Sequence, residues 1–134
     1  MKYLWDTDIC IYFLNGDKKI AQKTKTIGAA DICTTVINIT ELKFGAYNSK
    51  RIESNLERVK QLQDRLAILN DFNEDIGTFF AKNKAILRKK GITVGDFDLL
   101  IASFAYVNNL HLVTNNTKHF KYIPGLKIEN WLFE

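Results

Sequence analysis

The chain has 134 residues, 46% of them hydrophobic and 25% charged, with a formal net charge of +4. That length fits one domain over 1–134, able to bury about two-thirds of its unfolded surface in a single core without disulfide or metal staples. No run approaches the ~18 apolar residues of a membrane span and no secretory signal opens the chain, so a cytoplasmic protein is expected, and the positive balance favours an anionic partner.

Lys2 to Ile9 is a short apolar run that stops on an acid, a hydroxyl and a second acid, Asp6-Thr7-Asp8. A strand of that length delivers its last side chain to one sheet edge, and open parallel sheets bind ligands outside the carboxyl ends of their strands. Asp6 is therefore the first candidate site residue. Thr7 or Asp8 is expected to cap a helix carrying Ile9, Cys10, Tyr12 and Phe13 to Gly16, and Asp17 opens a second helix closed by Gly28. Ile32 to Val36 is rich in β-branched residues and reads as a second strand. In the helix after it, Asn38 and Glu41 are three residues apart and share a face.

Ile52, Leu56, Val59, Leu62, Leu66 and Leu69 recur at helical spacing and predict one amphipathic helix over 52–69. Asp71 or Asn73 caps the next helix, which Gly91 ends after a strongly basic last turn. Gly95-Asp96-Phe97-Asp98 opens an almost wholly apolar helix to Val107. A strand from Leu110 to Thr114, a loop from Asn115 to Phe120, a Pro124-Gly125 turn and a short strand from Leu126 to Ile128 complete the chain. Strands alternating with helices predict an α/β fold built on a parallel sheet with helices on both faces. Cys10 and Cys33 each lie in an apolar run and are expected to be buried, reduced thiols.

The acids gain meaning from this order. Right-handed crossovers bring the ends of successive parallel strands to one edge, where Asp6, Glu41, Asp98 and the Asn115-Asn116 segment can converge. Clustered carboxylates repel, and a bound cation relieves them; oxygen donors suit hard Mg²⁺ or Mn²⁺, whereas no Cys/His set exists for zinc. Asp98 precedes the most hydrophobic helix, where an uncompensated carboxylate is costly. Basic residues crowd Lys82, Lys84, Arg88, Lys89 and Lys90, and again Lys118, His119 and Lys121, as a solvated face or a phosphate-binding rim. His111 and His119 have no nucleophile partner and read as structural or phosphate-contacting.

Four segments, in this order, resemble the PIN-domain ribonucleases of the VapC-type toxin group: Leu4-Trp5-Asp6-Thr7-Asp8-Ile9, Thr35 through Leu42, Gly95-Asp96-Phe97-Asp98-Leu99-Leu100-Ile101-Ala102, and Leu112 through Phe120. Ile123-Pro124-Gly125-Leu126 and Glu129-Asn130-Trp131 extend the likeness over nearly the whole chain. The resemblance implies a PIN-like α/β/α sandwich with a central, mainly parallel sheet. It also implies a Mg²⁺- or Mn²⁺-dependent endoribonuclease, with Asp6, Glu41 and Asp98 as metal ligands. Expected partners are an RNA substrate, a cognate antitoxin that blocks the acidic site, and a second copy in a homodimer. Two departures stand out: Asp8 replaces the usual Asn of the first motif, and Asn116 stands where the family has a fourth acid. Asn116 is counted with the catalytic residues, as an amide ligand or a water-orienting group, and Asp96 is the candidate to restore the lost charge. The alternatives are an aspartate-nucleophile phosphatase of the haloacid-dehalogenase type and an RNA-binding module with weakened catalysis.

Overall fold

A computed structural model of the chain describes residues 1–133. Strand β1 (Tyr3–Trp5) sets up the layering, because alternate side chains of a strand point to opposite faces. Leu4 enters a core with Cys33, Ile76, Ile101 and Leu112, while Trp5 enters the opposite one with Ile9, Ile20, Ile32 and Val113. The other strands are β2 (Ile32–Thr35), β3 (Ala67–Leu69), β4 (His111–Val113) and β5 (Ile128–Glu129). They form one five-stranded sheet in the order β3-β2-β1-β4-β5. Every pairing is parallel, so the mainly parallel sheet expected is wholly parallel among the described residues.

The helices are α1 (Thr7–Leu14), α2 (Lys18–Ile27), α3 (Val36–Tyr47), α4 (Ile52–Arg65), α5 (Glu74–Lys89), α6 (Asp96–Val107) and α7 (Thr117–Phe120). Residues of α1, α2, α3 and α4 pack into the Trp5 core, and those of α5 and α6 into the Leu4 core. The result is the α/β/α sandwich. Cys10 and Cys33 are free and buried, and burial pushes both thiols up to about 12, which keeps them protonated and inert. No helix among the described residues is long and apolar enough to cross a membrane.

Three boundaries differ from the expectation, each for a local reason. Asp6, rather than Thr7 or Asp8, is the N-cap of α1, its Oδ1 accepting the Ile9 N–H at 3.0 Å. The helix expected over 52–69 stops at Arg65; Leu66 turns extended, and Ala67–Leu69 pairs with Cys33–Thr35 as an edge strand. A four-residue apolar run fits a helix or a strand, and the open edge of β2 decides it. The expected loop 115–120 contains α7, whose Phe120 is buried against the Leu4 core. Smaller shifts shorten the strands: Val36 begins α3, Thr114 lies just past β4, and the last strand is Ile128–Glu129 instead of Leu126–Ile128.

Candidate active site

The chain leaves β1 on one side, toward β2 and β3, and returns on the other as β4 and β5. Such a reversal opens a crevice between β1 and β4 at the carboxyl ends of the strands. Asp6 follows β1 in that crevice, and Thr114 follows β4 beside it, where its side chain favours the charged form of the Asp6 carboxylate. Asp6 is 5% exposed, and burial, with charge from Asp8 and Asp98, raises its carboxyl from the ordinary 3.8 to about 7. Capping α1 and Thr114 work in the opposite direction and do not offset the desolvation.

Glu41 arrives from the second turn of α3. Thr35 caps that helix in a box with Asn38, whose Oδ1 accepts both the Thr35 N–H and the Thr35 hydroxyl. The Asn38 Nδ2 donates to Thr7 Oγ1 at 3.0 Å, and the Thr7 hydroxyl donates to Glu41 Oε1 at 2.6 Å. Asn38 and Glu41, expected on a shared face, are joined through the Thr7 hydroxyl, so Thr7 orients an acid instead of capping a helix. Partial burial raises Glu41 above the usual carboxylate range, with Asp98 and Asp8 adding to it.

Asp98 sits in the first turn of α6, where Gly95 is the N-cap residue. A Cβ on Gly95 would stand 3.9 Å from Asp98 Oδ2. Burial raises Asp98 and Asp8 adds to the rise, while His119 opposes it. Asn116 reaches the site through a relay: its N–H donates to Thr114 Oγ1 at 2.9 Å, and its Nδ2 lies 2.8 Å from His119 Nδ1. His119, from the segment expected to be a loop, is therefore the basic side chain set beside Asp98.

Asp96 does not join this group. Its Oδ1 is paired with Lys84 Nζ at 2.8 Å. Asp8 does, since its charge acts on Asp6, Glu41 and Asp98 alike. Sequence reasoning gave Asp8 a capping role; its position two residues past Asp6, on the first turn of a helix leaving the strand end, is the signal that places it at this edge.

The donors are carboxylate, hydroxyl and amide oxygens, which suit a hard divalent cation. Among the described residues no three His, Cys, Asp or Glu side chains are grouped tightly enough to enclose one ion directly.

Comparison with known proteins places the fold in a family. Residues 3–126 fit the family model of the PIN domain. The chain is 36% identical to ribonuclease VapC2 of Rickettsia felis and 32% identical to the tRNA(fMet)-specific endonuclease VapC of Salmonella typhimurium, covering 98% of both chains in each case. Among solved structures, VapBC2 of R. felis bound to a promoter DNA fragment superposes with a TM-score of 0.90 at 34% identity, covering 98% of this chain and 99% of that one. DNA-bound VapBC of S. typhimurium gives 0.91 at 32%, covering 98% of both. With a family-model match over residues 3–126 and relatives aligned along almost its whole length, the chain belongs to the PIN-domain family, in its VapC ribonuclease group.

Proposed function

We propose that this chain is the toxin of a toxin–antitoxin pair and cleaves RNA internally by hydrolysis, using Mg²⁺ or Mn²⁺ held by Asp6, Glu41 and Asp98. The observation that carries the reading is the buried Asp6 at the β1/β4 crevice, its carboxyl held near 7 with Asp8 and Asp98 beside it. A site that confines so much negative charge is built to receive positive charge. The chemistry a bound cation supplies is neutralisation of the phosphate and acidification of a water. The chain's own groups do the positioning. Thr7 and Asn38 fix the Glu41 carboxylate, the Ile9 N–H fixes Asp6 while Thr114 favours its charged form, and Asn116 holds the His119 ring where it can contact a phosphate oxygen. Asp8 supplies the additional charge that Asn116 lacks.

The antitoxin reading rests on the VapBC complexes and on a groove of about 220 Å³ beside the acids, lined by Ile11, Leu14, Leu42, Gly45 and Val59 with Glu41 at its margin. An apolar segment ending in a basic side chain fits such a groove. Phe44 and Tyr47 on the same helix are 69% and 63% exposed, and a second copy or the antitoxin would cover them. The aspartyl-phosphate alternative is disfavoured by the match of residues 3–126 to the PIN domain and by the ribonuclease relatives aligned along almost the whole chain.

Induced expression in a bacterium, wild type beside Asp6→Ala, followed by mapping of RNA ends, tests the proposal. Growth arrest and new RNA ends are expected only from the wild type. Equal growth with identical ends in both would remove the assignment.

A further inference from the structure

The last turns of α5, the segment 91–95 and the first turn of α6 enclose a second cavity, of about 490 Å³. Leu87, Ile92 and Leu99 line it with apolar surface, and Lys84 and Arg88 line it with positive charge. Its volume falls within the roughly 300–1,000 Å³ of ordinary ligand sites. Gly95 joins this cavity to the acids, since it lines the cavity and also lies against Asp98. The two cations differ in availability. Arg88 is exposed and has no ion pair among the described residues, whereas Lys84 is held by Asp96. In that pair Lys84 is 48% and Asp96 60% exposed, so it is weak and readily exchanged for another anion.

We propose that this cavity is an accessory subsite for a backbone phosphate of the RNA strand, reached past Gly95 from the acidic site, with Arg88 as its standing cation and Lys84 as a cation that Asp96 holds in reserve. The inference rests on the proposed RNA-cleaving function and adds the course of the strand over the surface. Asp96 then has a role opposite to that of a metal ligand: it restrains RNA binding by occupying Lys84.

The test is binding of a single-stranded RNA oligonucleotide to the full chain in EDTA between 50 and 200 mM salt, read by fluorescence anisotropy. Each phosphate contact contributes about 0.7 to the slope of log affinity against log salt for a single strand. Arg88→Ala is expected to flatten the slope by about that amount, and Arg88→Lys to keep it. Asp96→Asn is expected to tighten binding and steepen the slope, with the gain lost in the Asp96→Asn/Lys84→Ala double variant. Lys25→Ala, on the exposed surface of α2 across the sheet, is expected to change nothing. An unchanged slope in Arg88→Ala, equal flattening by Lys25→Ala, or no gain from Asp96→Asn overturns the subsite. Failure of the parent reading looks different: the slopes behave as expected, yet no RNA is cleaved when Mg²⁺ or Mn²⁺ is supplied. A wild-type chain that binds no RNA overturns both.

Discussion

Asp6 carries two duties that ordinarily conflict. As N-cap of α1 it is anchored to the Ile9 N–H, and as a candidate ligand it is buried to 5% exposure beside other acids. In the metal-free protein the second duty costs stability. A carboxyl moved from 3.8 to about 7 on folding corresponds to on the order of 4 kcal/mol between the protonated and charged forms. The sign follows from proton counting. Between about pH 4 and pH 7 the folded chain binds more protons at Asp6 than the unfolded chain, so stability falls as pH rises through that window. Below it the cost is absent, and above it the cost is complete. Asp6→Asn keeps a good cap, because Asn serves as well as Asp there, and deletes the charge. Chemical denaturation in EDTA should show the wild type losing stability from pH 5 to pH 8, with the loss largely absent in Asp6→Asn. RNA cleavage should vanish in the same variant. A wild-type stability that is flat across this range would show that Asp6 is not held as a buried acid.

At the scale of elements, the helix α3 joins site to partner surface. Its first turns hold Asn38 and Glu41 through the Thr35 box, and its later turns border the groove through Leu42, Gly45 and Ala46. Across the groove, the Arg58 guanidinium of α4 donates to the Leu14 carbonyl and, at 3.1 Å, to Asn15 Oδ1, fixing α4 against the end of α1. A Cβ at Gly45 would meet no atom within 4 Å, and Gly45 lies in a helix without positive φ. Gly45→Leu should therefore fold, with a gain of about 0.5–1 kcal/mol from helix propensity, and fill the groove. Pull-down with the cognate antitoxin should lose capture by this variant while RNA cleavage persists; retained capture would move the antitoxin elsewhere. The same elements explain what was legible beforehand. Asp6 and Glu41 could be read because a strand end and a helical i, i+3 pair are short-range patterns. The end of α4 at Arg65 could not, since Leu66 and Leu69 continue its apolar period and only pairing of Ala67–Leu69 with β2 breaks it. Likewise, Thr7 as the link between Asn38 and Glu41 spans 31 and 34 residues of sequence and depends on the packed pair α1 and α3. The roles of Asp8 and Asp96, one at the site and the other paired to Lys84, were also decided by packing.

On the scale of the whole molecule, the acids arrive on separate elements: Asp6 and Asp8 from the β1–α1 junction, Glu41 from α3 and Asp98 from α6. These elements feed cores on both faces of the sheet, so repulsion at the site opposes closure of the entire fold. A cation that binds only the folded chain reverses this and adds stability by mass action, about 2.7 kcal/mol at a concentration one hundred times Kd. Thermal unfolding should then rise by several degrees on adding Mn²⁺ at pH 8. At pH 5.5, protons occupy Asp6, whose carboxyl lies near 7, and compete with the cation, so the rise should shrink. Removing one acid at a time separates site members from bystanders. Asp8→Asn relieves the repulsion felt by Asp6, Glu41 and Asp98, so it should raise the metal-free melting temperature while reducing the Mn²⁺-induced rise. Asp96→Asn breaks only the exposed pair with Lys84 and should leave the rise as in the wild type. The opposite ranking, with Asp96→Asn losing the Mn²⁺ response and Asp8→Asn keeping it, would place the compensating acid at 96 and return Asp8 to the helix surface.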